Sequence, residues 1–426
     1  MHYIQIDNNL WCVFCPKTLE ISVCDNKKRF EQIKRENANT HYTSNHCVKE
    51  IPINLHRIFI GVSEMCNMSC EYCYASSGTY GHKGRIMSPQ NAIEFLENYG
   101  SQFASPLRVV FFGGEPLLAQ DTMQAIISHY KELNSDVSYA IITNGTLLNE
   151  SVIDFIKGNN ISVTISMDGP KLFHDHYRKF KDGTGSFDCI AANIKAVKKA
   201  GIRVTAEATC GPNFFESYVP DTYSEFRRVF EEIGFDDLHV GIVVKPDGYG
   251  CKAAEGIQSF FSDMVDDAFD QLLQENVEHV LIARCFTETL LCLIKRVPIS
   301  RCGAGVSNAY ISAYGDLYSC HLFHAAHADK LNNDDYSLPS TIKVKTIDEV
   351  SNCADCFCKK VCLAWCPGIS ASMGRSEHCV IVERCIAQKS YTTQILKRFS
   401  MIYLNTDKWN LFSKNWRAFL TKKRPL

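Results

Sequence analysis

Three cysteines, Cys66, Cys70 and Cys73, fall in the stretch Glu64-Met-Cys-Asn-Met-Ser-Cys-Glu-Tyr-Cys-Tyr74. Thiolates spaced CxxxCxxC in one short loop suit three corners of a cubane 4Fe-4S cluster and leave its fourth iron without a protein ligand. An open iron binds a small molecule and passes it an electron, whereas pure electron carriers usually supply four cysteines. The spacing therefore points to chemistry at a cluster. The competing reading is a structural zinc site, which needs a further ligand to close its tetrahedron. Between Ala75 and Gly84 only His82 is on offer. Tyr72 and Tyr74, flanking the last cysteine, suit a cofactor packed on the loop.

The elements that position this loop are readable from the alternation of strands and helices between His56 and Leu281. Arg57-Ile-Phe-Ile-Gly-Val62 is an apolar run ending at the cysteines. Ser88-Pro89 reads as a helix N-cap with proline in the first turn, followed by Ala92, Phe95, Leu96 and Tyr99 on one face. Further strands are expected at 108–112, 139–142, 162–166, 202–206 and 238–244. Helices are expected around Met123 to Tyr130, Val152 to Ile156, Phe187 to Ile194 and Tyr223 to Ile233. Repeats of this length imply an α/β fold, a partial (β/α)6 barrel with a parallel sheet inside and helices outside. Active residues then sit at the carboxyl ends of the strands.

The polar and glycine motifs fall at those ends. Gly113-Gly-Glu-Pro116 follows the second strand, Thr143-Asn-Gly145 the third and Ser166-Met-Asp-Gly-Pro170 the fourth. Gly113 and Gly114 let the backbone approach a ligand closely, and Glu115 suits a cationic amine. Asn144, Ser166 and Asp168 offer hydrogen bonds to hydroxyls or a carboxylate. Arg178 is a natural partner for that carboxylate, with a surface ion pair to Asp175 as the alternative.

Twenty-one cysteines in 426 residues are unusual, and a formal charge of −2 with 22% charged residues describes an ordinary globular chain. Nothing asks for nucleic acid or a membrane surface. The start Met1-His-Tyr-Ile-Gln-Ile-Asp7 lacks a signal-peptide pattern, so a cytoplasmic, reducing location is expected. There metal ligation, not disulfide formation, explains the cysteine clusters. Cys302 and Cys320 are followed by Cys353, Cys356, Cys358, Cys362, Cys366, Cys379 and Cys385. Cys189, Cys210 and Cys251 are isolated and read as small core residues.

With the cysteine loop after the first strand and Gly-Gly-Glu-Pro after the second, residues 55 to 280 resemble the radical S-adenosylmethionine enzymes. The resemblance implies that the open iron chelates the methionine moiety of S-adenosylmethionine, and that reductive cleavage yields a 5′-deoxyadenosyl radical. It places Gly113, Gly114 and Glu115 at the amino group, Ser166 and Arg178 at the carboxylate, and Asn144 at the ribose. Cys302-x12-Gly315-x4-Cys320, then Cys353-x2-Cys356-x5-Cys362-x3-Cys366, resembles the SPASM extension, which holds one or two auxiliary 4Fe-4S clusters. A zinc ribbon is the alternative there. Family usage puts Cys302, Cys320 and Cys366 on the first cluster, with Cys292, Cys285 or an open position completing it. Cys353, Cys356 and Cys362 hold the second, with Cys379 preferred over Cys385 as its last ligand. Cys358 has no family role.

The domains implied are a strand-rich segment over 1–50, the partial barrel over 51–285, the auxiliary-cluster domain over 286–395 and a tail over 396–426. Cys302-Gly-Ala-Gly305 and Tyr318-Ser-Cys-His-Leu-Phe323 resemble maturases that form thioether crosslinks in ribosomally made peptides. The partners implied are a Cys-containing precursor peptide and a reductant such as flavodoxin or ferredoxin. Sulfatase maturases, which make formylglycine, carry an aspartate directly after the cysteine that Cys320 matches. His321 stands there instead and is a candidate to take a proton. A carbon–carbon crosslinking maturase and a non-catalytic iron-sulfur carrier or scaffold are further alternatives. The segment 1–50 reads as a strand meander plus a helix over 29–37, short for a leader-binding module that captures a peptide as an added strand. Alternation puts Cys12 and Cys15 on opposite faces of its second strand, which favours packing over metal binding.

Overall fold

The structure, a computed structural model, describes residues 1–36, 49–275, 280–299, 303–333, 335–344 and 347–423. An antiparallel meander of β1 (His2–Gln5), β2 (Trp11–Cys15) and β3 (Glu20–Cys24) leads into a helix over Lys27–Glu36 and a short strand, β4 (Lys49–Pro52). Six strands then alternate with helices: β5 (Leu55–Ser63), β6 (Phe103–Gly113), β7 (Val137–Thr143), β8 (Ser162–Ser166), β9 (Val204–Cys210) and β10 (Asp237–Ile242). They pair in parallel in chain order. This is the expected partial barrel of strand-helix repeats.

The sheet does not stop at β5. On its other side β11 (Asn308–Ile311) adds in parallel and β12 (Leu317–Tyr318) continues antiparallel, making one eight-stranded sheet. β13 (Thr341–Val344) then pairs back onto β4. The cysteine-rich C-terminal part is thus hydrogen-bonded into the barrel sheet. The division expected between residues 395 and 396 falls inside a helix, Val382–Tyr403, which packs along Cys251–Leu272.

Alternation along the strands separates core from cavity. Ile58, Ile60 and Val62, with Val109, Phe111, Ile141, Val163 and Ile165, are buried in the apolar core. The opposite parity, including Arg57, Arg108, Ile142, Ser166, Glu207 and His239, lines an interior cavity of about 1840 Å³. Ser88 caps the helix Pro89–Gly100 as expected, its Oγ accepting from the Asn91 amide at 3.2 Å. The strand expected over 202–206 instead begins at Val204, where Asp236 accepts from the backbone amide at 2.8 Å, and runs on to Cys210. Glu207 and Thr209 are the cavity face of that strand. Cys12 and Cys15 are both buried, with Cys12 packed toward the main core and its neighbours Trp11 and Val13 against Phe30. Among the described residues no helix is long and apolar enough to cross a membrane.

One close approach fixes how the outer helices stack. A Cβ at Gly256, inside Cys251–Leu272, would stand 1.9 Å from the Phe215 carbonyl oxygen. Gly256→Ala is therefore expected to destabilise the protein by about 1–3 kcal/mol through overpacking, despite the better helix propensity of alanine. Thermal unfolding followed by circular dichroism measures this; an unchanged or raised Tm contradicts the packing described.

Candidate functional site

The cysteine loop leaves the end of β5 and is pressed against the Gly113-Gly114 turn. Gly113 has φ +131°, and a Cβ there would stand 2.2 Å from the Ser63 carbonyl oxygen; one at Gly114 would stand 2.4 Å from that of Met65. The Gly114 and Glu115 amides donate to those same carbonyls at 2.7 and 2.8 Å. The glycines are needed first for the loop to reach this turn, and both also line the cavity. Glu115 departs from expectation. Its carboxylate is fully buried and accepts from the Thr143 hydroxyl (2.6 Å) and the Leu117 (3.0 Å) and Asn144 (2.7 Å) amides. It braces the ends of β6 and β7 and is not among the residues that line the cavity.

Cys66, Cys70 and Cys73 all face the cavity. Asn144 Nδ2 lies 3.7 Å from Cys66 Sγ and donates to Asn67 Oδ1 at 2.9 Å. Burial pushes the Cys66 thiol up to about 11 and raises Cys70 as well. Such thiols ionise readily only when a metal replaces the proton. His82, the one histidine available to a zinc reading, is stacked on His324. Among the described residues no three His, Cys, Asp or Glu side chains converge on a single metal ion.

Tyr72 ties the loop to the opposite rim. Its hydroxyl donates to Asp168 Oδ2 at 2.5 Å and accepts from Arg178 Nη1 at 2.9 Å. Asp168 Oδ1 accepts from the Thr209 amide at 3.0 Å, so both its oxygens are engaged within the protein. Arg178 is buried and lines the cavity, with Nε lacking a hydrogen-bond partner. Burial works against its charge, yet Tyr72, Cys70 and Asp168 raise its pKa overall. The surface pair with Asp175 is not formed; that carboxylate accepts from the Phe187 amide at 2.9 Å. Ser166 lines the cavity beside these groups.

Sequence reasoning missed Glu64, two residues before the first cysteine. It is fully buried, and its Oε1 accepts from the Ala313 amide at 3.0 Å and lies 3.1 Å from His324 Nε2. It joins the loop to the C-terminal part. Glu207 and His239, register partners on β9 and β10, form a second unanticipated pair at 2.6 Å. Both would have been found by tracking which strand residues share the parity of the cavity face.

In the C-terminal part Cys302 lies outside the described residues. A Cβ at Gly368 would stand 3.3 Å from Cys320 Sγ, which puts that thiol beside the helix Pro367–Ser372 that Cys366 begins. Tyr74 is within electrostatic reach of both Cys73 and Cys320. Cys353 interacts with Cys362, Cys385 and Cys356, and Cys385 with Cys362 and Cys356. Cys385, the alternative to Cys379, is thus within electrostatic reach of the trio. The helix begins at Val382, so Cys385 is carried on its first turn while Cys379 precedes it. Cys358, without an expected role, donates to the Gln388 carbonyl oxygen at 3.9 Å, and its proximity lowers the Cys356 thiol to about 6. Cys285 packs 3.7 Å from Met264 Sδ, and burial pushes it up to about 12. Cys292 has Glu288 and Lys295 as its charged neighbours. Neither has Cys320 or Cys366 among the groups that shift it. His321 is enclosed by Phe112, Tyr74 and Phe59 at ring separations of 4.7, 5.6 and 6.2 Å, and desolvation lowers it to about 4.

A parallel partial barrel carrying three cavity-facing cysteines after its first strand defines an enzyme of the radical S-adenosylmethionine class. Residues 60–226 match the family described as the Radical SAM superfamily. The chain is 30% identical over 292 residues to the serine-type anaerobic sulfatase-maturating enzyme of Bacteroides thetaiotaomicron, covering 62% of this chain and 68% of that protein. It belongs to the radical SAM superfamily, among its peptide-modifying enzymes, whose cofactors are S-adenosylmethionine and 4Fe-4S clusters. The fold is shared with native anSMEcpe with bound AdoMet and Cp18Cys peptide (TM-score 0.63, 20% identity, 84% of this chain and 99% of that one). It is also shared with Streptococcus suis SuiB bound to precursor peptide SuiA (TM-score 0.50, 15% identity, 85% and 95%).

The turn bearing Asp168 makes a pH-dependent contribution. His174 Nδ1 accepts from the Asp168 amide at 3.2 Å, and Nε2 lies 2.9 Å from Ser186 Oγ. Burial lowers this imidazole from 6.5 to about 2. Below pH 6.5 the unfolded chain takes up a proton that the folded chain refuses, so stability falls with pH by up to about 1.4 kcal/mol per unit. Urea midpoints between pH 7 and 5 are expected to drop in the native chain. His174→Gln should be less stable at pH 7 but show a shallower slope; an unchanged slope refutes the assignment.

Proposed function

We propose that this chain is a peptide maturase that joins a cysteine sulfur to a carbon of another residue in a ribosomally made peptide, forming a thioether. The observation carrying peptide modification is one continuous cavity of about 1840 Å³ that runs from Cys66, Cys70 and Cys73 to Cys362 and Cys366. It exceeds the ~300–1,000 Å³ usual for a small-molecule site, leaving room for a cofactor and a peptide segment together. Cys66, Cys70 and Cys73 would hold the first cluster. Gly113, Gly114, Asn144, Ser166 and Arg178 would surround S-adenosylmethionine, with the unpartnered Arg178 Nε offered to its carboxylate. Cys302, Cys320 and Cys366 would hold one auxiliary cluster, and Cys353, Cys356, Cys362 and Cys385 a second. When bound, these groups supply a 5′-deoxyadenosyl radical able to take hydrogen from an unactivated carbon. A flavodoxin or ferredoxin would supply the electrons.

The thioether form of this reading rests on His321. Where the sulfatase maturases carry an aspartate, this chain holds an imidazole that desolvation keeps uncharged above about pH 4. The site therefore lacks a carboxylate charge at that point. A second reading, oxidation of Cys or Ser to formylglycine, is favoured by the relative named as a serine-type anaerobic sulfatase-maturating enzyme.

Anaerobic reconstitution followed by dithionite and S-adenosylmethionine should yield 5′-deoxyadenosine, and the triple alanine variant of Cys66, Cys70 and Cys73 should yield none. Intact mass of a Cys-containing peptide separates the two readings. A thioether removes two hydrogens and keeps the sulfur, whereas formylglycine from cysteine loses it and gains an aldehyde. Iron analysis tests the auxiliary set: Cys353→Ala and Cys385→Ala should each lose about four irons, one cubane, and Cys379→Ala none. The reverse order at 379 and 385 would restore Cys379 as the ligand.

A further inference from the structure

Below the cofactor region the cavity carries a charge arrangement that the cysteine loop does not use. Arg57 of β5 and Arg108 of β6 are register partners on neighbouring strands, and both line the cavity. Like charges side by side on one sheet face repel. Desolvation and the nearby Arg108 and Arg284 lower the Arg57 guanidinium, and desolvation lowers Arg108. Among the described residues no carboxylate stands within ion-pair distance of either. Of the acids lining the cavity, Glu288 pairs with Arg284 at 2.6 Å and Glu207 with His239 at 2.6 Å. Arg57 is exposed and Arg108 half-buried, so the pair stands at an open end of the cavity where a ligand's charge can reach both guanidinium groups.

We propose that Arg57 and Arg108 form a carboxylate-binding subsite that anchors the peptide substrate at the end of the cavity away from the cysteine loop, through an acidic side chain or the peptide's C-terminal carboxylate. This rests on the peptide reading above and adds how the substrate is set in register. Two adjacent guanidinium forks match the planar geometry of a carboxylate, which a single lysine would not. Arg57 lies six positions before Ser63, where the chain turns into the cysteine loop. At ~3.3 Å per residue the subsite is roughly 20 Å from the rim. An extended peptide covers that span in about six residues. The anchored carboxylate thus selects a modified residue about six positions away.

Calorimetric titration of the full, cluster-loaded chain with short synthetic peptides tests this. The peptides carry an internal aspartate, a free C-terminus, both, or neither, the last with an amidated end. The native chain should bind an acid-bearing peptide about tenfold tighter or better than the neutral one, a step of about 1.4 kcal/mol. The variant R57Q/R108Q should lose that preference while keeping its cluster absorbance. Its Tm should hold or rise, because a repulsive pair has been removed, whereas loss of a structural pair lowers it. A preference that follows the aspartate, or one abolished by amidation, identifies which carboxylate is held, and either supports the subsite. Equal binding of charged and neutral peptides, or a preference that survives in the variant, overturns it while leaving the peptide reading intact. Sodium sulfate is the second probe. If the arginines bind sulfate but the chain ignores every peptide, the peptide reading fails and the proposed anchor with it.

Discussion

A buried cation, a phenol and a carboxylate hold the cysteine loop to the barrel. Arg178 donates to Tyr72, Tyr72 donates to Asp168, and Asp168 accepts in turn from the backbone of β9 through Thr209. The three residues come from the cysteine loop, the end of β8 and the segment after Lys171–Tyr177. Taking an arginine and an aspartate out of water costs several kcal/mol each, and only mutual pairing with well-placed hydrogen bonds offsets it. That requirement leaves the loop little freedom. A loop that strayed would expose the phenol and strand two charges in an apolar surround. The course of the cysteine loop is therefore set by these contacts.

Much of this was legible in the sequence, for a definite reason. Parallel strands buried between helices read as short apolar runs, so six of them could be placed, and the cap at Ser88 fell where its residue type required. The residues at the strand ends were correctly gathered on one rim. What residue type alone does not carry is the direction of a side chain. Glu115 was legible as a rim carboxylate but not as a brace turned inward between β6 and β7. The strand expected over 202–206 runs on through Glu207 to Cys210, because a polar residue facing a cavity interrupts the apolar run without ending the strand. The choice between Cys379 and Cys385 depends on where the helix begins, and a start at Val382 puts Cys385 on the first turn.

The cavity is shared by the barrel and the cysteine-rich C-terminal part. Strands β11 and β12 extend the same sheet that carries the cysteine loop, and Tyr74 is within electrostatic reach of both Cys73 and Cys320. Two thiol groups far apart in sequence thus share one interior. The aromatic enclosure of His321 marks where they meet. Such a wall excludes water, which lengthens the life of any reactive species formed beside it.

Glu64 gives the chain an order of events. Among the described residues its carboxylate meets Tyr310, Ala313 and His324, about 250 residues further along. A ribosome releases the cysteine loop long before those partners exist. Until they emerge, the carboxylate beside Cys66 remains in water and that anchor of the loop is missing. Completion of the metal-binding geometry is therefore a late event of biosynthesis, and a nascent chain cut short before Ala313 carries its cysteines without the full scaffold that arranges them.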